Sequence, residues 1–381
     1  MATEQLELPA ERRGPGTPGT RRRGHRARRR EAVAGWLFTA PAIVALIVFL
    51  VVPIIMAAWV SISDWSGIGG PFSSGVHSVG AANYAALLTR PGLAQQQLGL
   101  SIRDNLYYVL FVVPLQTVLA LLLAIVVSRK ALRGRGFFRT AFYFPSVTSS
   151  VAVSMIFLFL FADSGVINGA LAYLGVHGPN WFSDPNGLLQ MIAHGLGIGA
   201  PSALTHHGLL GVPWSQWLAG PSVAMCTLIV LAIWTTSGTF MLLFLPALYN
   251  ISEQIEEAAI VDGAGPWTRF RRITLPLIRP ALFLVLTLGL IGTWQVFDQV
   301  FLITQGNPVN TTLTPAYLAY QTSFGNAQWG QGAAIAFILF GIIVVFTVVQ
   351  RLILRERGSL TKALGQSARF RHARGDGGWP Q

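Results

Sequence analysis

Charge is scarce in this sequence. Only 11% of its 381 residues are Asp, Glu, Lys or Arg, less than half the roughly one quarter usual in soluble domains, so lipid is the expected solvent. Cysteine is nearly absent: the single thiol, Cys226, excludes an intrachain disulfide and lies in an apolar run as a small hydrophobe. Lysine occurs twice, at Lys130 and Lys362, and neither follows a glycine. That excludes a G-x-x-x-x-G-K-[ST] phosphate-binding loop. With no Ser-His-Asp context and no metal motif, neither a catalytic residue nor a cofactor held by this chain is expected.

Apolar sequence is what the chain has in abundance. Windows of about 20 apolar residues, the length that crosses a bilayer, occur six times without Lys or Arg, at 36–62, 106–128, 140–162, 221–248, 280–303 and 331–350. Each is expected to be helical, because lipid offers no partner to a bare amide. Nine basic residues precede the first window, five follow the second, four follow the fourth and seven follow the sixth. Thus 25 of the 27 fall on one side of a six-span chain, with Arg90 and Arg103 on the other. The positive-inside rule then places both termini in the cytoplasm. The net charge of +12 needs no nucleic acid to explain it.

Residues 1–33 read as a disordered Arg-rich cytoplasmic tail drawn to anionic headgroups, ahead of a signal-anchor span whose apolar run is too long for a signal peptide. A membrane domain at 34–356 and a basic cytoplasmic tail at 357–381 follow. Within the domain, residues 185–252 carry no charge. Their first part, 186–218, is broken by Gly, Pro and three histidines, which suits an external insertion lying on the membrane surface. A seventh crossing there would invert the charge asymmetry. His194, His206 and His207 lack i, i+4 pairing and read as loop histidines.

One polar stretch, "EEAAIVDGAGPWTRFRRITLP" at 256–276, interrupts the oily second half. Asn250 and Glu253 have capping-box spacing, with Ser252 as the rival cap. A short helix to Val261 places Ile255, Ala258, Ala259 and Asp262 on one side, the two alanines forming a close-approach surface. Gly263 suits a left-handed helix end, and Pro266 opens a second turn with Trp267 and Phe270 on one face. Small and aromatic residues rimmed by charge fit a cleft in another protein. A solvated loop on the headgroups fits the same residues, and the pattern alone leaves both readings open.

The spacing Glu257-Ala258-Ala259, three residues, Gly263, nine residues, Ile273-x-Leu275-Pro276 matches EAA-x3-G-x9-I-x-L-P without a gap. It resembles the EAA loop of ATP-binding-cassette importer permeases. "PLQTVLALLLAIVVSRKALRGRGFFRTAFYFPSVTSSVAVSMIF", "NWFSDP" and "TWQVFDQVFLITQGNP" are similar to segments of the carbohydrate-uptake permeases of the MalF/UgpA type, and the likeness spans about 37–354. It implies an all-α integral membrane protein of six transmembrane helices with the type I importer permease fold. The core would be about 102–354 and the coupling loop 250–276. The loop would dock on a separate ATPase through Glu256, Glu257, Ala258, Ala259, Asp262, Gly263, Arg269, Ile273, Leu275 and Pro276. Implied partners are a second homologous permease, an ATPase dimer holding ATP and magnesium, and an extracytoplasmic sugar-binding protein or lipoprotein. The implied location is a bacterial plasma membrane, and the implied role is one half of the pathway of an ATP-driven, binding-protein-dependent sugar importer. The Arg-rich tail and the 186–218 insertion depart from the family pattern.

Candidates for the substrate path crowd the outer half of the fifth window: Trp294, Gln295, Phe297, Asp298, Gln299 and Phe301. Trp294, Asp298 and Phe301 share a helical face. Tyr107 and Tyr143 are weaker candidates. Rings beside amide and carboxylate groups suit a sugar, and an ionisable residue inside a span points to function. An interfacial aromatic belt fits the same residues. The absence of Lys and Arg from the span interiors favours a neutral polyol over a glycerol-phosphate-type substrate. An ion-coupled secondary transporter would need buried coupling groups and a visible repeat. Asp298 is the only acid within a window and no repeat is visible.

Overall fold

The computed structural model describes residues 19–129, 132–197 and 202–354. Residues up to Trp59 form one compact unit and those from Val60 a second. In the first, α1 (Gly19–Leu46) passes through a π-helical turn, Ile47–Val51, into α2 (Val52–Ser61). The apolar rod 31–61 is 31 residues long, about 46 Å at helical rise and longer than the ~30 Å hydrocarbon layer. Its apolar side chains point all round, as in a lipid-embedded helix. Helix begins at Gly19, which corrects the expected disorder of 1–33 over its second half. Arg and Ala are strong helix formers, and residues added to a wound span avoid the cost of nucleation. The rest of that tail, 1–18, and the tail at 357–381 lie outside the described residues.

In the second unit, α3 (Ala82–Leu88) leads into α4 (Leu93–Ser128). The helices α5 (Arg135–Val147) and α6 (Ser150–Leu160) meet at 94°, and α7 (Val166–Tyr173) follows. An excursion then carries α8 (Leu188–Gly195), α9 (Ser202–His206), a hairpin of β1 (Gly208–Leu209) and β2 (Val212–Pro213), and α10 (Trp214–Trp217). Its base is closed where Gly187 pairs with Ser222. The excursion is pinched at its base, and among the described residues none of its helices has the length to cross a bilayer. The long α11 (Val223–Tyr249) precedes α12 (Glu253–Val261), α13 (Pro266–Arg269), α14 (Leu275–Leu277) and α15 (Arg279–Trp294). The chain continues through α16 (Pro315–Tyr320) to α17 (Trp329–Leu354). Among the described residues, four helices can cross a membrane by length and composition, or up to six if each bent pair counts as one span.

The third and fifth windows, each expected to be helical, belong to the two bent pairs. In the third, Pro145 sits in the last turn of α5, and Thr148 and Ser149 adopt extended backbone before α6 starts again. Proline removes one helical donor and crowds the preceding turn. The Ser146 hydroxyl leaves its own helix to donate to the Thr235 carbonyl of α11 at 2.6 Å. In the fifth, Pro276 and Pro280 flank a 72° bend between 266–277 and α15. α15 then stops at Trp294, about 24 Å from its start by helical rise and short of a full crossing. The chain resumes as a π-helical turn at Val300–Thr304.

A helix broken inside a membrane frees carbonyls that must find other donors. Here two buried side chains supply them. Asn105 of α4 donates to Trp294 O at 3.0 Å, and Thr314 donates to Val296 O at 3.1 Å. The bundle around the break has two main cores. One gathers Val112 of α4, Leu228 and Ala232 of α11, and Val296 and Val300 beyond the break. The other gathers Ala120 and Ala124 of α4, Phe240 and Phe244 of α11, and Ile278 and Val285.

Asn105→Ala and Thr314→Val should each lower stability by about 1 kcal/mol, the scale of a hydrogen bond between membrane helices. Unfolding in mixed micelles reads the loss, and an unchanged midpoint in both variants would contradict this account of the break.

Candidate functional site

Two regions carry chemistry: the polar loop after α11, and a crevice between α4, α11 and the broken fifth crossing. In the loop, Asn250 closes α11, and Ser252, in extended backbone, precedes α12. The helix thus starts from the rival cap, and Ser252 makes no side-chain capping bond. Glu253 and Glu256 lie in its first turn, where the helix dipole favours acids. At the other end Gly263 has φ +75°, its N–H donates to Ile260 O at 3.0 Å, and the Ala264 N–H donates to Ala259 O at 2.9 Å. These are the two bonds of a Schellman closure. A Cβ at Gly263 would meet nothing within 4 Å, so the backbone conformation, and not space, calls for glycine here. Pro266 opens α13 at its first turn, as expected.

The loop has an outer and an inner side. Ile255, Glu256, Glu257, Ala258, Ile260, Val261, Asp262 and Trp267 are exposed. Ala259 is buried, which corrects the expectation that both alanines form one outer surface: a helix of nine residues lying on its own bundle has one face turned inward. On the inner side, Ile251, Phe270 and Leu275 pack against the core that contains the buried Ile278. Trp267 stacks on Phe270 with ring centroids 5.6 Å apart, which ties the exposed ring to the anchored one. Ile273 and Pro276 are half-buried, and so is Arg269, whose Nε is buried without a hydrogen bond.

The crevice consists of two adjoining cavities of about 260 Å³ each that share Thr236, Phe240 and Gln299. One is lined by Ser146, Thr148, Ser150, Ser154, Thr235 and Thr239, the other by Gln116, Gln295, Phe297 and Asp298. The lining is therefore hydroxyl, carboxamide and apolar, with Asp298 its single charged side chain. The α5–α6 corner and the break after Trp294 each contribute wall residues, whereas the 72° bend beside Pro276 lines neither cavity.

Of the six path candidates, four line the crevice: Gln295, Phe297, Asp298 and Gln299. Trp294 does not. It is fully buried with its ring 5.1 Å from Phe346, and Phe301 lies to the side, stacked on Phe297 at 5.3 Å. The predicted Trp294, Asp298 and Phe301 face is lost because the helix breaks between them. Tyr107 fastens the excursion, donating to Trp217 O and accepting the Gly220 N–H at 3.0 Å. Tyr143 is half-buried and lines neither cavity.

Sequence reasoning missed the hydroxyls of "WTTSGTF" on α11 and Gln116 on α4. Their polarity inside apolar runs was a usable signal, but periodicity does not say which face of a buried helix borders a void. It also missed the buried pair Arg103–Asp104, 2.6 Å apart near the start of α4, with Arg103 Nη1 3.5 Å from Gln216 of the excursion.

Comparison with known proteins is in keeping with this geometry. Residues 116–357 match the family model of the binding-protein-dependent transport system inner membrane component. The chain is 30% identical to the lactose transport system permease protein LacF of Rhizobium radiobacter, covering 85% of this chain and 95% of that protein. It is 28% identical to the trehalose/maltose transport system permease protein MalF of Thermococcus litoralis, covering 84% and 93%. In fold it is similar to a chain of a bacterial ABC transporter that imports the acidic polysaccharide alginate, with TM-score 0.63, 20% identity and coverage of 87% and 99%. That transporter has also been solved with an alginate pentasaccharide-bound periplasmic protein, where the matching chain has TM-score 0.62, 20% identity and coverage of 86% and 96%.

The burial of the loop alanines gives a direct check. In a Cys226→Ser background, Ala258→Cys should react with a maleimide on the order of tenfold faster than Ala259→Cys, since thiol reactivity follows access. Equal rates would reverse the assignment of the two faces.

Proposed function

The chain belongs to the family of binding-protein-dependent transport system inner membrane components, and from that premise we propose that it is one transmembrane half of an ATP-driven importer of sugars. It crosses a bacterial plasma membrane six times with both termini in the cytoplasm, the orientation that the placement of 25 of its 27 basic residues supports. It pairs with a second permease of the same family and receives sugar from an extracytoplasmic binding protein. ATP and magnesium are held by a separate pair of ATPase subunits.

The observation that carries the reading is the hydroxyl- and carboxamide-lined crevice. A sugar's hydroxyls find donors and acceptors there, and its C–H faces find Phe240 and Phe297. Two of the permease relatives, named for lactose and for trehalose/maltose, take uncharged sugars by those names. With Asp298 as its one charged group, the crevice repels anions, which argues against a phosphorylated polyol and against an acidic polysaccharide.

Coupling runs through the loop. Glu256, Glu257, Ala258, Asp262 and the exposed Ile260 and Val261 dock in a groove of the ATPase, while Gly263 sets the exit angle and Arg269 borders the contact. Ala259, Ile273, Leu275 and Pro276 hold the loop to the bundle. Because Phe270 and Leu275 are packed into the same core as Phe240, a pull on α12 reaches a wall of the crevice through rigid contacts.

The reconstituted complex should hydrolyse ATP faster when lactose, maltose or trehalose is supplied with the binding protein. Gly263→Val should insert normally yet lower that stimulated rate roughly tenfold, given about 1–2 kcal/mol of strain for a side chain in left-handed backbone. Unchanged stimulation in the variant would remove the loop from the coupling path, and labelling of Ala258→Cys only from outside the cell would overturn the orientation.

A further inference from the structure

Gln116 lies about two-thirds of the way along α4, fully buried between two apolar cores. Val112, one turn earlier, packs in the first, and Ala120, one turn later, packs in the second. From Gln116 to Ser128, where α4 ends, is about 18 Å at helical rise, which puts the carboxamide near the middle of a ~30 Å hydrocarbon layer. Burial of an amide at that depth is costly unless both of its ends are paired.

Only one end is held. Thr236 Oγ1 lies 2.6 Å from Gln116 Oε1 and 2.7 Å from Ala232 O, and its single proton serves one of them. Gln116 Nε2 has no hydrogen-bond partner, and Gln116 lines the cavity that Thr236, Phe240 and Gly289 also border. Gly289 makes the room, since a Cβ there would stand 2.6 Å from Nε2. When Thr236 donates to Ala232 instead, the carboxamide can turn over to donate to Thr236 and leave its oxygen open. A hydroxyl group both donates and accepts, so it satisfies either arrangement.

We infer that Gln116 is a specificity-determining residue of the pathway: its open carboxamide end bonds one hydroxyl of a sugar at mid-depth, with Thr236 as the positioning residue. The inference rests on the sugar-import reading above. A site built around such a bond rejects an analogue lacking that hydroxyl, because its own polar group is then left unpaired in a dry environment.

The test uses the complete transporter in proteoliposomes, with whichever of lactose, maltose and trehalose the wild type carries and the singly deoxygenated analogues of that sugar. The binding protein is the same throughout, so its own preferences cancel when Gln116→Leu is compared with wild type. Gln116→Leu should lower kcat/KM for the parent sugar roughly tenfold, the worth of one hydrogen bond, and leave one deoxy analogue unaffected. Thr236→Val, which releases the carboxamide without removing it, should weaken discrimination against the same analogue, and it serves as the test if Gln116→Leu fails to insert. An equal loss for every sugar, or no loss for any, overturns the specificity role. A wild-type complex that carries none of the three sugars overturns the sugar reading itself, and this inference with it.

Discussion

A backbone carbonyl in hydrocarbon has no water to fall back on, and that constraint governs the fifth crossing. α15 ends at Trp294, too soon to complete a span, and the freed carbonyls of Trp294 and Val296 are taken up by Asn105 and Thr314. Both donors are fully buried, so the break is paid for inside the protein and never faces lipid. A crossing that continued as helix would need neither side chain. Gln295, Phe297, Asp298 and Gln299 would then be distributed around a cylinder in place of lining one wall.

The same principle explains the α5–α6 corner. Ser146 and its hydroxylated neighbours supply hydrogen-bonding groups where the helix turns through 94°. Residues of the corner, of α11 and of the stretch beyond the break line one crevice together. Irregular backbone, polar side chains and empty volume coincide because each requires the others at membrane depth. In the proposed importer, this is also where a hydroxylated solute meets groups able to replace its water.

In the proposed importer, movement at that crevice is driven through the loop after α11. Its inner side is fixed by Phe270, Leu275 and Ile278 in the core below, and its outer side exposes Ile260, Val261 and Trp267 beside acidic residues. The Gly263 closure holds the angle between α12 and α13 by backbone bonds alone. A surface of exposed aliphatic side chains on a rigidly anchored stem suits transmission of force better than recognition by flexible charge.

The amino-acid sequence by itself determined the class of solvent, the number of apolar windows, the uneven spread of the basic residues along the chain, and the turn chemistry from Ser252 to Pro276. Each of these depends on neighbours along the chain or on bulk hydropathy. It indicated Phe297 and Asp298 as wall residues, but it also promoted Trp294 and passed over Gln116 and Thr236. Which face of an all-apolar helix borders a void depends on helices that are distant in sequence, and so does the survival of a helix through Gln295–Phe297. Asn105 reaches Trp294 across 189 positions. Only the tertiary structure decided where the helices break and what the polar residues surround, because a broken strand of backbone in lipid is stable only when side chains from elsewhere in the fold complete its hydrogen bonds.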